Sequence, residues 1–527
     1  MNFYTTKGFF AFALTLLGAS PAFTAPPVAP QVTVGAEIKQ LHFDWSIVPR
    51  SNYYEFWFKA NNGAPWVKFS ELQPWQPHAV NNISAHLLDW DQARYQIKAC
   101  NFSGCTPSPE LAVHDRMFES IGYFKPSGSY RAARFGSSAS ISEDGQTIAA
   151  FAADEPVPGG HVSTLYIFAK VNGSWQQQKR IIPSTTVPDR HNVGEFFEGQ
   201  NTVALSADGN RLVTSLLVCD APGGTCDHML SVWHRSGPTW TREYQVVGQS
   251  IYSYLDPVQI NEAGDRILIG AGNELAIFER TAAGWTKHAP LPAVPANYLC
   301  DYTGLSGDGM TLAHACYVGT GVHLLIAKAP GWNITQDYAL SWPLRHAFGG
   351  FAIDYAGATV ALATNSETIE APPPDARSQV QVLRLANGSL STAIIRAEGW
   401  TPSYRNFIGG ALALSRDGSL LAVGDSSDQG LGRGVLSPPL QAGDPAAVFQ
   451  TGATSIYELR PAGPHLRRVI KPNDLVPRYR FNDQPLAFAN NGKTLLIADS
   501  EDSSNATGIN GDRDDTSFSS AGALWLY

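Results

Sequence analysis

One short pattern recurs along this chain: two apolar-alternating runs joined at a glycine. Its clearest copy is Ala411–Asp425, ALALSRDGSLLAVGD. Asp417-Gly418 makes a tight turn there, and alternation on both sides of such a turn is the strongest local signal for a β-hairpin. Six relatives turn at Gly145, Gly209, Gly264, Gly309, Gly357 and Gly492. With Gly418 included, the steps are 64, 55, 45, 48, 61 and 74 residues. Repetition at that spacing predicts a propeller or a linear array. A second hairpin follows several copies, and in three of them a basic residue precedes a tryptophan by five positions: Lys170 and Trp175, Arg235 and Trp240, Arg280 and Trp285. Two hairpins supply four strands, which is one propeller blade.

The ends of the repeat predict how the ring closes. Lys471-Pro472 precedes Phe481 as Lys125-Pro126 precedes Phe135, ten residues from Lys to Phe in both. Residues 120–125 therefore read as a fourth blade strand with no blade ahead of it. The last blade supplies strands near 485–489, 494–498 and 523–527 and then needs one more. The expectation is an all-β chain whose residues 118–527 form a seven-bladed β-propeller, closed by strand 120–125. Closure would remove the exposed sheet edges that invite aggregation.

Ahead of the repeat, strand patterns at 38–45, 54–59, 66–69, 85–88 and 95–100 predict a small β-sandwich over 32–115. Residues 26–31 are a Pro-rich linker. Lys7 followed by a short apolar run and small residues at Ser20-Pro21-Ala22 reads as a signal peptide over 1–25. No later stretch is long and apolar enough to cross a membrane. The expected location is therefore secreted, periplasmic or at the cell surface. Six cysteines in an exported chain suggest disulfides. Local spacing pairs Cys100 with Cys105, Cys219 with Cys226 and Cys300 with Cys316. No Cys-x-x-Cys supports a zinc site instead. The net charge of −9 argues against a nucleic-acid partner, which selects basic domains.

Two resemblances follow from particular motifs. Tyr95-Gln96-Ile97-Lys98-Ala99-Cys100-Asn101-Phe102-Ser103-Gly104 resembles the F strand and following turn of a fibronectin type III domain, with Trp45 as its core tryptophan. Cysteines at 100 and 105 depart from that family's pattern. No Arg-Gly-Asp is present, so integrin binding does not carry over. Phe135-Gly136, Phe348-Gly349 and Phe407-Ile408-Gly409-Gly410, with Ala498–Asp512 and Ser519–Tyr527, resemble FG-GAP repeats of the integrin α-subunit type. Several copies lack Phe-Gly. That family binds Ca²⁺ through Asp-x-Asp-x-Asp-Gly, which this chain lacks.

Function is less legible. The aspartates of the turns, Asp144, Asp208, Asp308 and Asp417, read as turn formers. Binding residues are expected on the opposite face, among the variable loops. A ring of Arg134, Arg190, His191, Tyr254, Tyr302, Arg345, His346, Tyr404, Arg405 and Arg480 precedes the inner strands there and suits an anionic or carbohydrate ligand. Acidic loops hold Asp154, Glu155, Asp220, Asp425 and Asp428. Asp499, Glu501, Asp512 and Asp514 are the candidate Ca²⁺ ligands, because Ca²⁺ takes several oxygens. No nucleophile elbow, zinc-protease motif or phosphate loop is present. The chain reads as an exported, non-enzymatic interaction protein whose partner is a protein or a polysaccharide. A carbohydrate-active enzyme, a hydrolase or lyase working at the channel mouth with Asp154 or Asp425, is the alternative.

Overall fold

In a computed structural model the chain is all-β, 60% strand and 1% helix. The residues described are 25–527 except 159, 185–190, 193–200, 221–225, 250–257, 271–274, 289–293, 320, 341–346, 366–377, 397–407, 426–427, 429–431, 439–451 and 473–484. The chain divides into two compact units. One comprises residues up to 35 with 42–80 and 92–112. The other comprises 36–41, 81–91 and 113–527.

In the smaller unit, strands Tyr53–Lys59, Val67–Leu72, Arg94–Asn101 and Gly104–Pro107 share one antiparallel sheet. Inward residues alternate along it, as a sheet with one buried face requires. Phe56 and Tyr95 of this sheet meet Phe43 of a second, with ring centroids 4.9 and 4.8 Å apart. Trp45 is buried. Cys100 and Cys105 form a disulfide across the turn. One expected strand is corrected. Residues 85–88 form a turn in which Leu87 and Leu88 N–H donate to Ser84 O, and the strand is His78–Asn82. Only Ala79 and Asn81 of that strand are buried, so its apolar alternation is too weak to read.

Among the described residues the larger unit holds seven antiparallel sheets, most of four strands, and such sheets fit propeller blades. The first runs Phe135–Ile141, Thr147–Val157, Gly160–Val171, Ser174–Ile181. The sixth includes Ile408–Leu414 and Leu420–Asp425, the two halves of the Ala411–Asp425 hairpin. In the seventh, Leu486–Ala489, Thr494–Asp499 and Ala523–Leu526 are joined by Gly122–Phe124 from the other end of the chain. Trp525 lies opposite Tyr123, and Leu524 opposite Phe124.

Adjacent sheets pack face to face. Phe124, Phe135, Tyr166, Phe168, Leu496 and Leu524 form one core between the seventh sheet and the first. Ala149, Leu165, Leu212 and Trp240 form the next, between the first and second. The inner strands touch in order around the unit, from the first sheet to the seventh, and the seventh touches the first. Cys300 and Cys316 face each other in the fourth sheet and are bonded. In the second sheet the register sets Cys219 opposite Cys226.

Candidate functional site

The turn glycines sit at positive φ, 65° at Gly418 and 67° at Gly145, where a Cβ is strained. Four of the seven turns are then locked by their own serine and aspartate. At the sixth sheet Ser415 Oγ donates to Asp417 Oδ1 (2.8 Å), and Ser419 N–H donates to the same oxygen (2.9 Å). Ser415 Oγ in turn accepts Leu420 N–H (2.9 Å). Ser142 with Asp144, Ser206 with Asp208, and Ser306 with Asp308 repeat the arrangement. These aspartates are thus structural acceptors, which is why they fall on a Ser-x-Asp-Gly pattern.

Locked turns bond to one another. Asp144 N–H donates to Ala207 O (3.1 Å), Ala207 to Glu262 O (3.1 Å) and Glu262 to Gly307 O (2.8 Å). Asp308 donates to Tyr355 O (2.9 Å) and Tyr355 to Arg416 O (3.2 Å). Asp417 N–H reaches Asn491 Oδ1 (3.0 Å), and Asn490 N–H returns to Glu143 O (2.7 Å). The seven turns therefore form a closed belt of hydrogen bonds. One ion pair links turns that are not neighbours. Arg416 Nε of the sixth turn donates to both oxygens of Glu262 in the third (3.1 and 3.0 Å), while its guanidinium stacks 3.8 Å above the Tyr355 ring.

Beside this belt opens a cavity of about 800 Å³, within the range of small-molecule sites. Its wall combines Glu143, Asp144, Asp208 and Arg416 with Asn490, Asn491 and Lys493, and with Lys39 and Asn82–Ser84, which belong to the same unit. Lys39 Nζ donates to Lys493 O and Tyr527 O, both at 2.8 Å. Burial, with the charge of Lys170 second, pushes its ammonium down to about 7. Burial likewise pushes the Glu143 carboxyl up, with Glu262 and Asp144 adding to the rise and the Asn491 N–H opposing it. Asp417 goes the other way: burial works against it, but bonds from Ser419, Ser415 and Asn491 hold it at about 2.

The residues expected to bind on the opposite face are differently placed. Tyr302 is buried, and its hydroxyl donates to Gly349 O (3.2 Å). Arg134 is half-buried, with its backbone N–H on Ser520 O (3.0 Å). His191 lies in a short strand, and its side chain is outside the described set. Arg190, Tyr254, Arg345, His346, Tyr404, Arg405 and Arg480 lie outside the described residues.

Of the acidic set, Asp499 is buried, and its Oδ1 accepts Glu501 N–H (3.2 Å). Asp512 Oδ1 accepts Asp514 N–H (3.0 Å). Among the described residues, three ligand atoms lie within 4.8 Å of one another only at Glu55, Cys100 and Cys105, and those sulfurs are in the disulfide. Asp502, in the same acidic loop, accepts from Lys125 Nζ (3.0 Å) and Tyr123 Oη (2.8 Å). Asp428 pairs with Lys471 in the sixth sheet, so the two Lys-Pro lysines take equivalent buried partners. His314 is packed, its Nδ1 2.9 Å from Thr303 Oγ1.

The chain's structural neighbours are β-propellers. The Dos1 propeller is 10% identical over 77% of this chain and 93% of its own, with a TM-score of 0.41. Kuenenia stuttgartiensis hydrazine synthase is 12% identical over 74% and 98%, at 0.43. The periplasmic gluconolactonase PpgL of Pseudomonas aeruginosa is 10% identical over 80% and 96%, at 0.38. No protein-family model matches the sequence, and no curated protein does. Neither substrate nor partner is carried over from these neighbours.

Glu143, Arg416, Asn491, Lys493 and Lys39 are site residues that sequence reasoning missed. The first four lie within two residues of a turn glycine in the repeat, and only that register could have flagged them.

Proposed function

We propose that the chain is an exported, non-enzymatic binding protein. Its scaffold is a seven-bladed FG-GAP-like propeller closed by its N-terminal strand, with a fibronectin type III-like sandwich at 32–115. The ligand site proposed is the cavity beside the turn belt. What carries this reading is an open polar cavity whose wall is held by hydrogen-bonded turns. Asp208 in that wall accepts three hydrogen bonds, and Asp417 of the adjoining belt accepts three, so both serve the scaffold. Disulfides, and the lack among the described residues of any helix long and apolar enough to cross a membrane, fit an extracellular location. A broad screen of peptides and glycans against the full chain tests it. Saturable binding without turnover is expected. Chemical conversion of any bound compound overturns it.

A carbohydrate-active enzyme is the competing reading. On its side stands Asp154, paired with His161 at 3.2 Å. Polysaccharide turnover that is lost on combining Arg134→Ala with Arg480→Ala would establish that reading.

A further inference from the structure

The binding role leaves the ligand's chemistry open, and the lining of the turn-side cavity narrows it. Three bases face three acids there: Lys39, Arg416 and Lys493 against Glu143, Asp144 and Asp208. A simple anion or a simple cation would meet as many repelling groups as attracting ones. A ligand carrying both signs would not.

The hydrogen bonds separate committed atoms from available ones. Asp208 uses both oxygens, on Ser206, the Asn210 N–H and Asn210 Nδ2. Lys39 is bound to two carbonyls. Glu143 spends only Oε1, on Asn491 N–H (2.7 Å), and Asp144 only Oδ1, on Ser142 and the Gln146 N–H. Arg416 turns Nε to Glu262, which leaves its two Nη groups. Lys493 is exposed. Glu143 Oε2, Asp144 Oδ2, the Arg416 Nη atoms and Lys493 Nζ have no hydrogen-bond partner among the described residues.

We infer that the cavity takes a zwitterionic ligand of the amino-acid or peptide type, its ammonium held by Glu143 and Asp144 and its carboxylate by Arg416 and Lys493. Both contacts are charge-assisted, and a guanidinium suits a carboxylate's two oxygens. An ammonium beside Glu143 would also relieve a carboxylate that burial and two neighbouring acids destabilise. A sugar is disfavoured because none of the lining residues is aromatic, and so no ring face is offered for stacking. The Tyr355 ring is covered by Arg416.

This inference rests on the proposed binding role, and its test separates the two. Triglycine, N-acetyl-triglycine, triglycine amide and maltotriose are titrated calorimetrically into the full chain at neutral pH. Triglycine is expected to bind, each blocked peptide at least tenfold more weakly, and maltotriose not at all. Glu143→Gln should abolish discrimination against the acetylated peptide and keep that against the amide. Lys493→Gln, an exposed change that spares the belt, should do the reverse. Equal binding of free and blocked peptides overturns the zwitterion assignment, as does an unchanged order in both variants. Binding of maltotriose alone, or of none of the four, also overturns it. In each of those cases the binding role stands or falls separately, on the broad screen.

Discussion

At the scale of single residues, the Ser-x-Asp-Gly turn shows how a local pattern becomes structure. Asp417 answers two donors from its own turn and one from Asn491 in the next sheet. Replacing it with Ala should cost about 1–2 kcal/mol, the loss of a set of hydrogen bonds in a part-exposed turn, read as a lower urea midpoint with unchanged slope. Its pH dependence has a definite sign. The folded carboxyl sits at about 2, below its ordinary 3.8. Its contribution is therefore complete above that ordinary value and disappears as pH falls through about 2. The stability gap between the native chain and Asp417→Asn should narrow from pH 4 to pH 2, and a gap constant over that window would contradict the assignment. Gly418→Ala combines left-handed backbone strain with a Cβ placed 2.7 Å from Asp354 Oδ2 and Thr359 Oγ1, so a loss of about 2–4 kcal/mol is expected on thermal melting. Turn roles were legible because everything they need lies within six residues. The Arg416–Glu262 pair was not, because its partners are 154 residues apart and only the closed belt brings them together.

Among elements, the five-residue spacing of base and tryptophan proves to be cross-strand pairing. Lys170 lies opposite Trp175, Arg235 opposite Trp240 and Arg280 opposite Trp285. That spacing is what a tight hairpin imposes on directly opposed residues, so strand register was readable wherever the hairpin was short. It failed at 85–88, where apolar residues serve a turn whose Ala85 carbonyl accepts Trp90 Nε1 (2.9 Å). The repeated Lys-Pro was visible in the sequence, but the buried carboxylate each lysine meets was not, since Asp502 and Asp428 look like ordinary loop acids. Lys125 and Asp502 are both essentially inaccessible. Lys125→Met should therefore cost about 3–5 kcal/mol by stranding a buried charge. Adding Asp502→Asn should recover part of that in the double variant. Full additivity of the two changes would show that the pair is not coupled. In the adjoining acidic loop, Asp499 and Asp512 already accept backbone N–H groups. Melting with and without a chelator should therefore agree to within about a degree, against the Ca²⁺ expectation. A clear drop with chelator would restore it.

Across the whole molecule, repetition carries most of the architecture. Seven similar turns along the chain become seven sheets sharing cores with their neighbours, because each sheet has apolar residues on both faces and cannot bury them alone. The binding face was not legible on the same grounds. The longest, most variable loops drew attention to one side, whereas the cavity found here opens beside the shortest turns, assembled from residues of several sheets. Strand 122–124 completes the last sheet and so closes the ring. Hydrogen exchange read by mass spectrometry tests this closure directly, by comparing peptides covering 120–126 and 522–527 with the 411–425 hairpin. A closed ring predicts that all three exchange together, only on global unfolding. Rapid exchange of 120–126 while 411–425 stays protected would contradict it.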